Sequence, residues 1–143
     1  MKLLYRFSIA LLLIVLISGC AGSMPKNIGI TENKLTPCPS KPNCVNSFSD
    51  EKEHAIRPFA PASSPLWERL ILTLNKQKKS KIITSEPHYI HATFTSNIMG
   101  FVDDVEFFQS NGSIHVRSAS RLGYSDLGAN RDRIEQLRSQ LLK

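Results

Sequence analysis

Phe101-Val102-Asp103-Asp104-Val105-Glu106-Phe107-Phe108-Gln109-Ser110-Asn111-Gly112-Ser113-Ile114-His115-Val116-Arg117-Ser118-Ala119-Ser120 is a pair of β-rich runs joined by Asn-Gly, the dipeptide that most favours a two-residue hairpin turn. With Asn111 and Gly112 as the central residues, Ser110 faces Ser113, and each step back along the first strand matches a step forward along the second. One face then carries Phe107 with Val116, Val105 with Ser118, Asp103 with Ser120, and Phe101 near Leu122, and it reads as core. The other carries Phe108 with His115, Glu106 with Arg117, Asp104 with Ala119, and Val102 with Arg121. Two acids and two arginines alternate there. Glu106 and Arg117 are expected as direct partners, with Asp104 diagonal to Arg117 and Arg121. An exposed ladder of this kind contributes about 0.2–1 kcal/mol per pair and needs no ligand to explain it. Asp103 falls on the apolar face, where a carboxylate must be hydrogen-bonded, and the register offers Ser118 and Ser120 as donors.

Working outward, residues 89–95 alternate cleanly: Ile90, Ala92 and Phe94 share one side, and Tyr89, His91, Thr93 and Thr95 the other. Residues 81–85, before the Glu86-Pro87 break, read as a further strand. Upstream, Ser64 is placed to cap a helix with Pro65 at its first position. Leu66, Trp67, Leu70, Ile71 and Leu74 form its apolar stripe, and the helix is expected to end near Lys79. Downstream, Asp126 is an N-cap for a helix reaching about Leu142, with Ile134, Leu137 and Leu141 buried. The expected fold is a single α+β domain over residues 38–143. It comprises an antiparallel sheet of about four strands packed by two helices, in helix–strands–helix order.

Residues 117–133 concentrate polar groups, and Gly123 and Gly128 allow a tight strand-to-helix turn. Arg121, Tyr124, Asn130 and Arg131 could surround an anion at the helix start, where free amides and a partial positive charge collect. The competing reading pairs these arginines with Asp103, Asp104, Asp126 and Asp132, since the segment holds matching acids. This segment, with Asn43-Cys44-Val45-Asn46-Ser47 and Asp103-Asp104-Val105-Glu106-Phe107, resembles the family called domain of unknown function 1499 over residues 38–142. The resemblance implies a small exported or organellar domain, often lipidated in bacteria. It supplies no activity, cofactor or catalytic residue.

The amino terminus decides location. Lys2 and Arg6 precede an apolar run over residues 7–17, and Ser18-Gly19 lead to Cys20, the arrangement of a secretory signal over residues 1–19. The run is about half the length a membrane span needs. The ending resembles the bacterial lipobox, in which the thiol receives diacylglycerol, the bond before it is cut and the new amino terminus is acylated. Ala21 follows where an Asp would suggest inner-membrane retention, so the resemblance implies the periplasmic face of the outer membrane. Residues 20–37 lack apolar periodicity and read as the lipidated terminus and a flexible linker some tens of ångströms long. Cys38 and Cys44, the thiols that remain, suit a disulfide in an exported chain.

The formal charge of +6 falls to about +4 without Lys2 and Arg6, which is mildly basic. Nucleic acid is an unsuitable partner for a domain outside the cytoplasm, leaving the membrane, an anionic lipid or glycan, or an envelope protein. An enzyme would require an activated nucleophile. His115 points away from Ser118 and Ser120 on this register, and no nucleophile-elbow motif is present. His88 and His91, three apart, fall on opposite sides of a strand and read as surface histidines; no metal or cofactor is expected. The leading expectation is a non-catalytic binding or structural module whose late turn recognises an anionic envelope component or a protein. The alternative is a hydrolase of envelope lipid or glycan.

Overall fold

The computed structural model describes residues 22–142. The expected signal peptide, residues 1–19, and the acylation expected at Cys20 lie outside the described residues. In chain order the elements are β1 (Ile30–Thr31), β2 (Lys34–Leu35), β3 (Cys44–Asn46), α1 (Ser64–Lys76), β4 (Ser80–Ser85), β5 (Tyr89–Thr95), β6 (Val102–Ser110), β7 (Ser113–Ser120) and α2 (Ala129–Leu141). The architecture is α+β. A five-stranded antiparallel sheet, ordered β3-β7-β6-β5-β4, is accompanied by a separate β1-β2 pair.

The hairpin register holds pair by pair: Ser110 faces Ser113, Phe107 faces Val116, Glu106 faces Arg117 and Asp103 faces Ser120. Asn111 and Gly112 have φ of 49° and 72°, both left-handed, as a type I′ turn requires. The expected four-strand sheet has five strands because Cys44–Asn46 pairs with β7. Three residues are too few to display a period of two.

One face of the sheet meets both helices. Ile90, Ala92, Phe94, Val105, Phe107 and Val116 pack there against Leu70 and Leu74 of α1 and Ile134, Leu137 and Leu141 of α2, with Phe59 filling the space beside them. The cap of α1 is Ser63 rather than Ser64, its hydroxyl accepting the Leu66 N–H at 3.4 Å. The helix stops at Lys76 because Gln77 turns extended to enter β4. At α2 the cap position belongs to Gly128, with φ of 86°. Asp126 nevertheless serves that end, its carboxylate accepting the Gly128 and Asn130 N–H groups at 3.1 and 2.7 Å.

The opposite face is covered too. Residues 22–37, expected as a free linker, form a folded strap: Glu32 and Asn33 turn with left-handed φ of 51° and 58° between β1 and β2. Leu35 is buried with Tyr89 and Phe108, joined by Ile28 and Phe48. The Cys38–Cys44 disulfide is formed, with Cα atoms 5.7 Å apart, and ties the end of this strap to β3.

Candidate functional site

The charged face of the hairpin is sealed rather than solvated. Asp104 and Glu106 are both 0% exposed, and Arg117 is buried with them. The strap lies across them and its Gly29 N–H donates to Glu106 Oε1 at 2.7 Å. Tyr89 donates to the same oxygen at 2.9 Å, and Arg117 Nη1 donates to Glu106 Oε2 at 3.0 Å. Burial, then the adjacent Glu106 charge, push the Tyr89 phenol far above its ordinary range, so it stays a donor.

Asp104 is held by a second cluster. Arg121 grips it through two bonds, Nε to Oδ2 at 2.8 Å and Nη2 to Oδ1 at 2.9 Å, and His91 Nε2 donates to Oδ1 at 2.8 Å. Burial disfavours the Asp104 anion, but the Arg121 and His91 bonds outweigh it and hold the carboxyl below its ordinary value. The bonds to Asp104 in turn raise the Arg121 pKa above its ordinary value, against the effect of burial. The expected diagonal to Arg117 does not form, and the expectation of a surface His91 is corrected: it is buried against Asp104.

On the core face, Asp103 bonds neither Ser118 nor Ser120. Its partner is Arg133 of α2, whose guanidinium also lies 5.0 Å from the centre of the Phe94 ring. The two serines serve Asn130 instead. Ser118 Oγ donates to Asn130 Oδ1 at 2.6 Å, while Asn130 Nδ2 donates to Ser120 Oγ and the Asn43 carbonyl, both at 3.0 Å. Arg133 adds bonds to Ser118 Oγ and Asn130 Oδ1 at 3.1 and 2.7 Å. Asn130 thus fastens α2 to β7 and to the residue preceding β3.

The four residues expected around an anion are not brought together. Arg121 is spent on Asp104 across the sheet, and Asn130 is buried in the α2 knot. Arg131 donates to the Ala55 and Glu53 carbonyls at 2.8 and 2.9 Å, and Tyr124 stands in solvent. Nor is His115 brought to the serines, so no triad forms among them. His115 lies on the face opposite Ser118, stacked 3.9 Å from Phe48, with Ser47 Oγ 3.2 Å from its Nδ1 and, among the described residues, no carboxylate bonded to the ring. Burial lowers its pKa. Among the described residues no three His, Cys, Asp or Glu side chains are grouped to hold a metal, and no helix is long and apolar enough to cross a membrane.

One open region lies at one end of the sheet. The β5–β6 loop, residues 96–101, and the β7–α2 connection, residues 121–128, line a groove of about 360 Å³. Phe101 and Leu122, expected to extend the core, overrun it and are exposed there with Ile98 and Met99. A larger cleft of about 570 Å³ lies between the strap and residues 46–54, lined by Lys26, Lys34, Phe48 and Glu51 among others.

No curated protein and no solved structure matches the chain. A family model described as protein of unknown function, DUF1499, matches residues 34–141, from the start of β2 to the last residue of α2. With that match covering most of its length, the chain belongs to the DUF1499 family.

Proposed function

We propose that this chain is a lipoprotein held through acyl chains on Cys20 at the periplasmic face of the outer membrane, and that its folded part is a non-catalytic binding module. The anchoring rests on the order of charged, apolar and small residues before Cys20. The binding reading rests on one observation. Asp103, Asp104, Glu106, Arg117, Ser118, Ser120 and Asn130 are bonded to partners inside the domain, so the late polar segment is scaffold and recognition passes to exposed surface. An anion at the α2 start would have to compete with carbonyls and carboxylates already holding both arginines.

Two measurements test this reading. Intact-mass analysis of native protein should find a chain beginning at Cys20 and carrying acyl groups; a retained Met1 or a bare sulfur overturns the anchoring. Combining Arg121→Ala with Arg131→Ala should lower the melting temperature by about 5 °C or more, because Asp104 loses its buried partner. Inorganic phosphate should leave the amide resonances of residues 121–131 unmoved. Phosphate-dependent shifts abolished by a double variant of unchanged melting temperature would restore the anion site.

A further inference from the structure

We propose that the loop end of the sheet seats directly on the bilayer that carries the anchor, an inference that rests on acylation of Cys20. Six large apolar or aromatic side chains are exposed on two neighbouring connections: Ile98, Met99 and Phe101 before β6, and Leu122, Tyr124 and Leu127 after β7. Ile98 and Leu127 are 93% and 95% exposed, positions that gain nothing from folding. Clustering of this kind on one end marks a surface that meets something apolar.

The course of the chain identifies what it meets. Gly22 lies against the same end: a Cβ placed there would come within 2.9 Å of Arg121 Cβ and 3.2 Å of Leu122 Cγ, and Arg121 Nη1 donates to its carbonyl at 3.4 Å. Cys20 precedes Gly22 by two residues, so the covalent chain keeps the two α-carbons within about 7 Å of each other. Farther along the strap, Ile28, Gly29 and Leu35 fasten it to the sheet. The acyl chains and the apolar loops therefore leave the domain at one end, and the bilayer is the apolar phase within reach.

The rim agrees in charge. Lys78 and Lys79 are exposed where β4 begins, and the Lys79 carbonyl accepts the Thr95 N–H at the base of the 96–101 loop. Lysines at such a rim attract anionic headgroups, and a tyrosine such as Tyr124 suits the membrane interface. Asp126, the acid nearest the apolar tips in sequence, turns its carboxylate onto two backbone amides.

The test uses full-length protein purified from envelopes and reconstituted into vesicles of phosphatidylethanolamine and phosphatidylglycerol. Single variants Ile98→Cys, Leu127→Cys and His88→Cys are labelled with an environment-sensitive fluorophore. His88 is exposed in the β4–β5 turn, at the opposite end of the sheet. Cys38 and Cys44 are paired and an acylated Cys20 has no free thiol, so only the introduced thiol reacts. Labels at 98 and 127 should shift to the blue and be quenched several-fold more than the label at 88 by lipids bearing a nitroxide near the headgroup. Equal quenching at all three positions overturns the seating. Labels at 98 and 127 that are shielded from a water-borne quencher but untouched by the lipid nitroxide overturn it in favour of a protein, a second copy included. Intact mass on the same sample separates the failures: a bare Cys20 sulfur removes the anchor itself, whereas an acylated sulfur with unquenched loop labels removes the seating alone.

Discussion

Glu106→Ala is expected to destabilise the domain by about 3–5 kcal/mol, a large part of the 5–15 kcal/mol that keeps a domain folded. The substitution strands Arg117 as an uncompensated charge under the strap, and it also removes the acceptor of the Tyr89 hydroxyl and the Gly29 amide. The pair itself need not be worth that much, since taking two charges out of water offsets most of their attraction. The gentler double variant Glu106→Gln with Arg117→Met should therefore lose less than the sum of its single changes, with a coupling of about 1–3 kcal/mol. Urea unfolding of Glu106→Ala and of the four proteins of the double-variant cycle reads both quantities. A single-variant loss below about 1 kcal/mol would mean a solvated surface pair and an unsealed face.

Asp104→Asn should cost about 3 kcal/mol at neutral pH, and the cost should shrink as the pH falls. Asp104 has a carboxyl pKa that folding lowers from 3.8, because the Arg121 and His91 bonds outweigh burial. A lowered carboxyl pKa contributes stability that is complete above the unfolded value and is lost as the pH drops through the folded one. The wild-type protein thus forfeits this contribution below about pH 4, while the variant has none to forfeit. Urea midpoints at pH 7, 5 and 3 should converge between the two proteins at the acid end. A gap that stays constant would show that the carboxylate is not the source of the stability.

The hairpin was legible because Asn111-Gly112 sets the register, and a period of two then sorts every side chain to a face. That logic places Glu106 opposite Arg117 and Phe107 opposite Val116 without further information. It does not reveal what covers a face. The strap is built from scattered apolar residues such as Ile28 and Leu35 with no repeating spacing, so its burial of Asp104 and Glu106 depends on contacts some seventy residues apart. For the same reason an alternating charged face reads in the sequence as solvated.

Partner choice was illegible where a helix decides it. Asp103 and the serines opposite it are compatible in register, yet α2 brings Arg133 to the carboxylate and Asn130 to the hydroxyls, a pairing set by how the helix lies on the sheet. An asparagine in the first turn of a helix reads as solvent-facing, and only the docked helix makes Asn130 a buried knot. The pair Phe101 and Leu122 followed the core pattern one step past the place where the helices stop covering it.

The central claim is that the amino-terminal strap closes the charged face instead of trailing from it. Exchange of the Gly29 amide with deuterated water measures this directly, since that N–H has buried Glu106 Oε1 as its acceptor. The account predicts protection comparable to the amides of β6 and β7. Exchange at the rate of an unstructured chain, with β6 and β7 still protected, would contradict it.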